Sequence, residues 1–425
     1  MIRVPFFNFK RKKNVKQIFL WCAALLATLS FAQKRISGQV LHAYTKEPIE
    51  GALVELEGYS VVRIITNSEG GFTIPLSTQG ETFQLRIGGI GFNQTSYSYS
   101  LNVATEDLVY YLEPREIRLK EISVEGYREP QQLIEKMLSR RKEYEDKNSF
   151  QALGFFRERI QKRGNNLSLA EAVISILKRP NTSDLNDLVF LNQLRKANNY
   201  RSVDSVAVKL QGGPFNILYT DLAKYPEIVF DENNLEFYKY TYLGSLNYNE
   251  QEVLQVAFES RSSSKNPNFS GVLYLNKASF DLVRADLDLN VSNREKASRI
   301  FVKKKPEGMD IWPTKMHYQI DYAPKDNRWL LQYGKIDLEF KVNWKSRFFR
   351  RTYQIEAEMA ITDWLEGRSK DLVEEKARLR PNKVLIESLE GFYDPLFWEN
   401  YTIIEPDSEI EKIIAKIERQ LKRLK

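Results

Sequence analysis

Apolar and polar positions alternate along most of this chain, in short runs near its start and longer runs later. Between Ile36 and Leu112 the runs ISGQVL, ALVELEG, VVRIIT, GFTIPL, TFQLRIG, TSYSYSL and DLVYYL each read as one strand, because side chains two apart share a face of a pleated chain. Turn formers separate them at Lys46-Glu47-Pro48, Asn67-Ser68-Glu69-Gly70 and Gly88-Gly89. So many short strands in so short a stretch predict a seven-stranded antiparallel β-sandwich. The spacing of Ala52, Val54 and Leu56 places them on its inner face, and Gly70 and Gly71 fall where a hairpin needs positive φ.

The pattern then changes. Pro130 to Lys147 carries Leu133, Ile134, Met137, Leu138 and Tyr144 along one side, with Pro130 early, which predicts a helix. From Phe150 strand-like runs return: FQALGFFRERI, LEFYKYTYLGSL, EVLQVAFES, GVLYLNK, LVRADLDLNV, KMHYQIDYA, WLLQYGKIDLEFKV and RTYQIEAEMAI. LSLAEAVISIL reads equally as helix or strand. Leu338, Phe340 and Val342 face one way and Glu339 and Lys341 the other, the pattern of a large antiparallel sheet with one wet face, half-barrel-like at most. At the end, Asp407 or Ser408 can cap a helix whose stripe is Ile410, Ile413, Ile414, Ile417, Leu421 and Leu424, with Lys422, Arg423 and Lys425 at its negative end. The expected fold is mainly β with flanking helices. Its parts are the sandwich at 34–115, a linker and helix at 116–148, a β-rich domain at 149–406 and an amphipathic helix at 407–425. Because 116–130 is charged and bounded by Pro114 and Pro130, few contacts are expected to cross it, and the two units should separate.

Charge adds a destination. The net charge is +7, but six basic residues and no acids lie in the first thirty-two positions, leaving 57 basic against 56 acidic beyond. The remainder has no field to steer it onto nucleic acid. Within 1–32 a basic start, the apolar run Ile18–Phe31 and Ser30-Phe31-Ala32 before Gln33 describe a secretory signal peptide, with an uncleaved anchor as the alternative. The sole cysteine, Cys22, follows Leu20-Trp21, which does not suit a lipoprotein signal. A chain cleaved after Ala32 has no cysteine and forms no disulfide.

Several linked motifs carry a resemblance. Ile36-Ser37-Gly38-x-Val40, Glu47-Pro48-Ile49-x-Gly51-Ala52-x-Val54, Thr66-Asn67 and Gly70-Gly71-Phe72-x-Ile74 resemble the carboxypeptidase regulatory-like domain, a transthyretin-like sandwich found, with a following Gly91-Phe92 pair, at the start of Bacteroidota cell-envelope proteins. The resemblance implies a non-catalytic accessory module. Leu119 to Val124 resembles the segment that leads into the plug of outer-membrane transporters, but too few residues follow for a plug and a large barrel. Leu210-Gln211-Gly212-Gly213-Pro214, Gly271 to Leu275 and Tyr393-Asp394-Pro395 with Phe397-Trp398 and Asn400-Tyr401 resemble β-rich domains paired with this sandwich in such envelope proteins, and the run of strands also resembles the half-barrels of periplasmic lipoprotein carriers.

Catalytic chemistry finds no motif. The two histidines, His42 and His317, stand in no HExxH or HxxE setting, there is no GxSxG elbow and no P-loop, and Gly88-Gly89-Ile90-Gly91 is not a dinucleotide fingerprint. No cofactor and no metal are expected, and no catalytic residue is assigned. One basic-aromatic turn stands out, Trp344-Lys345-x-Arg347-Phe348-Phe349-Arg350-Arg351, with Lys303-Lys304-Lys305 after another strand. Trp344, Lys345, Arg347, Arg350 and Arg351 are the candidate contacts for anionic lipid or glycan. The expected function is a non-enzymatic exported envelope protein, periplasmic or outer-membrane-associated. Its sandwich would act as a docking or adhesion module and its sheet as a binding domain or scaffold, with an envelope protein, glycan or lipid as partner and peripheral membrane contact. The alternatives are a periplasmic carrier of an apolar ligand, which needs an apolar concave face unfilled by helix side chains, and an envelope glycoside or peptide hydrolase.

Overall fold

The computed structural model describes residues 34–57, 61–76, 82–100, 106–115, 129–143, 149–163, 165–181, 183–198, 212–231, 235–248, 251–261, 267–301, 307–325, 328–345, 350–365, 378–385 and 404–408, with 410–412 and 415 beyond. The signal expected in 1–32, the segment Leu119–Val124 and the stretch Tyr393–Trp398 lie outside the described residues.

All seven expected sandwich strands are present: β1 (Arg35–His42), β2 (Leu53–Glu57), β3 (Val61–Ile65), β4 (Gly71–Pro75), β5 (Thr82–Gly88), β6 (Thr95–Ser100) and β7 (Leu108–Leu112). They form two sheets, ordered β4-β1-β7 and β3-β2-β5-β6. Alternation places Val54, Leu85, Ile87, Ile36, Val40 and Phe72 between the sheets, all at or near complete burial. One pair departs from the antiparallel expectation: β1 and β7 run parallel, because the chain crosses from the β6 edge of one sheet to the β1 edge of the other before forming β7. Gly38 permits that approach, since a Cβ there would stand 2.6 Å from the Leu108 carbonyl oxygen. Gly70 has the expected positive φ of 74°, while Gly71 already belongs to β4.

The rest of the described chain builds one ten-stranded sheet. Its strands are β8 (Phe150–Lys162), β9 (Asn165–Lys178), β10 (Leu188–Asn198), β11 (Tyr238–Tyr248), β12 (Gln251–Ser260), β13 (Phe269–Asn276), β14 (Leu282–Leu289), β15 (Met309–Lys325), β16 (Arg328–Trp344) and β17 (Arg351–Leu365). Their order is β10-β9-β8-β17-β16-β15-β14-β13-β12-β11, and each neighbour pair is antiparallel. The ambiguous run around Leu169 is strand β9, where Leu169, Val173 and Ser175 alternate with Ala170, Ala172 and Ile174 across a sheet covered on both faces.

Helix α1 (Gln131–Glu143) lies on one face, here the inner one, with Leu133, Ile134, Met137 and Leu138 buried as the spacing predicted. Tyr144 lies outside the described residues. Beside α1 the segments 212–231 and 235–237 form an internal plug. They contain the short helix α2 (Phe215–Leu218) and 3-10 turns at Pro226–Ile228 and Leu235–Phe237. Phe215, Ile217, Leu218, Leu222 and Phe230 pack into one core with Leu338, Phe340 and Val342 of the sheet. Gly334 makes the seat for this plug, because a Cβ on it would come within 2.2 Å of Ile217 Cγ2.

The opposite, outer face is not simply wet. The sandwich covers part of it, and Phe155, Val173, Tyr333 and Ala360 of the sheet, with Ile404, share one apolar cluster with the sandwich core. The expectation of few contacts between the two units is therefore corrected: the linker sequence is polar, but the contact is made by faces far from it in sequence. The described part of the C-terminal segment meets both units. Asp407 does cap a helical turn, its Oδ1 accepting the Ile410 amide at 2.8 Å. That turn sits at the junction of the units, where Ser68 Oγ donates to Asp407 Oδ2 at 3.2 Å and Asn67 Nδ2 donates to the Glu405 carbonyl at 3.1 Å. The stripe positions from Ile413 onward lie outside the described residues.

Candidate functional site

Four places among the described residues gather charge. On the outer face, Arg195, Glu171, Arg157, Glu358 and Lys335 stand directly opposite one another on β10, β9, β8, β17 and β16. Register thus makes a ladder of alternating charge across five strands. Arg157 spends its whole guanidinium there. Nε donates to Glu171 at 2.7 Å, Nη1 to Glu358 at 2.9 Å and Nη2 to the Ile404 carbonyl at 2.8 Å. Burial alone would raise the Glu171 pKa, but Arg157 and Arg195 outweigh it and hold the carboxyl below its ordinary range. Next to this ladder a shallow open cleft separates sandwich, sheet and tail, lined by Glu50, Asn67, Arg159, Lys335, Glu356 and Asp407. Its cations already face its carboxylates: Arg159 pairs with Glu356 and Asp407, and Lys335 with Glu50.

A second buried cluster ties the plug to the sheet. Lys178 of β9 reaches Asp221 at 2.6 Å and Asp187 at 3.0 Å, Lys224 reaches Asp187 at 2.6 Å, and Tyr322 donates to Asp221 at 3.1 Å. Burial pulls the Lys178 pKa down, yet the two carboxylates overcome it and keep the ammonium above its ordinary range. Burial prevails at Lys224, whose pKa falls despite Asp187. Two lysines balanced by two aspartates make a fastening, with every charge engaged.

The third place is Glu158 of β8, on the inner face, flanked in register by Ala170 and Ala357. It is 1% exposed, and neither carboxyl oxygen has a hydrogen-bond partner among the described residues. Burial pushes its pKa up to about 8, so the carboxyl is mostly protonated at neutral pH.

The fourth is the turn singled out in the sequence. Trp344 is half-buried at the end of β16, Lys345 and Arg350 are exposed, and Arg351 opens β17. Arg347 and Lys303 to Lys305 lie outside the described residues. The structure adds two residues that sequence reasoning missed, Arg294 and Trp312. The Arg294 guanidinium lies 5.1 Å and that of Arg350 5.7 Å from the Trp312 ring, one stack assembled from three elements. Their separation along the chain left no local signal.

The histidines sit in ordinary strand surroundings. His42 Nδ1 accepts the Tyr44 and Thr45 amides at 3.2 Å each, and His317 Nδ1 lies 2.9 Å from Asp288. Among the described residues no group of three His, Cys, Asp or Glu is placed to hold a metal ion, and no helix is long and apolar enough to cross a membrane.

Together these features describe a mainly β protein of two joined parts, a small sandwich and a broad open sheet. Residues 36–124, which include the sandwich, match the family model of the CarboxypepD_reg-like domain. Among curated proteins no relative matches. Solved structures with some likeness include a putative outer membrane lipoprotein-sorting protein domain from Vibrio parahaemolyticus, 11% identical over 57% of this chain and 94% of that one, with a TM-score of 0.25. A DUF1329 family protein from Desulfovibrio piger is 10% identical over 58% and 99%, TM-score 0.22. A LolA superfamily protein from Nitrosomonas europaea is 11% identical over 58% and 98%, TM-score 0.21. At such scores the likenesses carry no argument about function.

Proposed function

We propose that this is a non-enzymatic exported envelope protein, in which the sandwich docks a polypeptide partner and the sheet is the scaffold that holds the sandwich in place. The observation that carries the reading is one edge of the sandwich, β7, open among the described residues. Among the described residues β7 pairs with β1 alone, and Val109 and Tyr111 point outward from it at 50% and 45% exposure. Tyr44 stands nearby at 72%, and Lys46 caps the Tyr111 ring at 3.9 Å. An exposed edge bearing large apolar side chains is a surface for strand addition. The buried charges fit a scaffold as well, since the ladder and the Lys178 cluster are engaged with one another.

The carrier alternative is less well supported, because side chains of α1 and the plug fill the inner apolar face among the described residues. The test places a photo-crosslinking amino acid at Val109 in cells, with Thr241 of β11 as the control. The expected result is a discrete adduct with one envelope protein from Val109, abolished by Tyr44→Ser with Tyr111→Ser, and none from Thr241. Adducts from both sites alike, or a purified protein carrying stoichiometric extractable lipid, would reverse the preference.

A further inference from the structure

The fourth site goes beyond a basic turn. Helix α3 (Arg294–Phe301), which no sequence signal marked, packs on β15 through Ala297, fully buried, and through Ser298 Oγ, which donates to the Ile311 carbonyl at 3.0 Å. This leaves Arg294, Lys296, Arg299 and Ile300 exposed, Ile300 at 44%. The turn after β16 arrives at the same end of the sheet. Met309 pairs with Trp344 in register, and the Lys345 amide donates to the Gly308 carbonyl at 2.9 Å. Lys345, Arg350 and Arg351 therefore join the helix cations. The described acids here are fewer: Glu295, which pairs with Arg299, and Glu307 and Asp310. Among the described residues Arg294, Lys345 and Arg350 have no carboxylate at salt-bridge distance. The adjoining sequence is also basic, with Lys303, Lys304, Lys305 and Arg347.

We infer that this end of the sheet seats on an anionic lipid surface, with Arg294, Lys345 and Arg350 meeting lipid phosphates and Ile300 entering the boundary between headgroups and chains. Three observations favour a surface over a soluble anion. The unpaired cations spread over a helix and a turn instead of converging on a pocket. An exposed Ile300 stands among them, useful against lipid and idle against a free ion. The Trp312 stack holds two guanidiniums in place, and a guanidinium meets phosphate through two parallel hydrogen bonds. The inference rests on the exported-envelope reading above, and fractionation of cells tests that reading separately.

The experiment uses the exported form recovered from envelope extracts, mixed with phosphatidylcholine vesicles or with vesicles doped with phosphatidylglycerol, and read by co-sedimentation. Binding is expected to the doped vesicles, falling as salt rises. The triple variant Arg294→Glu, Lys345→Glu, Arg350→Glu should weaken it by roughly 100-fold or more, the combined effect of three basic residues at an anionic surface, while Lys239→Glu on β11 leaves it unchanged. Should the triple variant melt early, the corresponding Gln set is read in its place. Equal binding to undoped vesicles, undiminished binding by the variants, or retention by polygalacturonate with none by vesicles overturns the inference, the last marking a glycan-binding surface.

Discussion

Arg157 and Glu158 are neighbours in sequence with opposite fortunes. Arg157 points to the outer face, where three acceptors engage it. Glu158 points to the inner face, between two alanines, with no partner among the described residues. In the sequence both look like solvated strand charges, because alternation tells which face a residue takes and not what will cover that face. The Glu158 pKa is raised from 4.5 to about 8. Folding therefore favours its protonated form. That contribution is complete below about pH 4.5 and is lost as pH rises through 8, at about 1.4 kcal/mol per unit. Glu158→Gln keeps the shape without the charge. Unfolding free energies from urea titrations at pH 5 to 9 should show wild type falling by a few kcal/mol relative to the variant. Parallel curves would mean that the carboxyl is solvated or partnered in solution. Arg157→Met should cost about 3–5 kcal/mol, since it strips Glu358 of its guanidinium and leaves Glu171 with Arg195 alone. A loss under about 1 kcal/mol would show that water takes the arginine's place.

At the scale of elements, the strands were largely legible and the plug was not. A strand announces itself through period-two alternation, so the seven sandwich strands and most of the large sheet follow from the sequence. In β9, small residues such as Ala170 and Ala172 read as well for a helix, and tertiary pairing settled the matter. Strand β10 and helix α3 went unmarked, and 212–231 and 235–237 are built of turns and short helical pieces that have no period to detect. The candidate surface was half legible for the same reason: Trp344 to Arg351 is contiguous, whereas Arg294 and Trp312 join it only through pairing of β15 with β16. The seat of the plug gives a test. Gly334→Ala should destabilise by about 1–3 kcal/mol through the clash with Ile217. Combined with Ile217→Ala it should cost less than the two single changes added together. Strict additivity in chemical denaturation would mean that the plug does not rest on Gly334.

At the scale of the whole molecule, the sandwich and the sheet are fastened by apolar contact, by the Arg157 ladder and by the tail at Asp407. The sequence suggested two independent units because its linker is charged and proline-bounded. The faces that meet, around Phe155, Val173 and Tyr333, lie outside that linker and carry no mark of their partner. A protease site engineered into residues 116–128 should therefore yield two fragments that stay together on gel filtration, and calorimetry of the intact protein should show one transition. Release of a folded sandwich, or two separated transitions, would restore the picture of independent units.

The charge ladder also bears on how so wide a sheet finds its alignment. Strands of 13 to 17 residues such as β8, β16 and β17 have many nearly equivalent ways to pair by apolar pattern alone. A slip of one residue would carry Arg157 into the oily interior and Glu171 away from its arginines, and a slip of two would keep the faces but break the five-strand row, setting Arg157 opposite Glu356 or Ala360 in place of Glu358. Misaligned pairings should thus lose more than packing, and the ladder is expected to act as an alignment key during assembly. It should favour one alignment among many before the sandwich closes over it and removes the chance of correction.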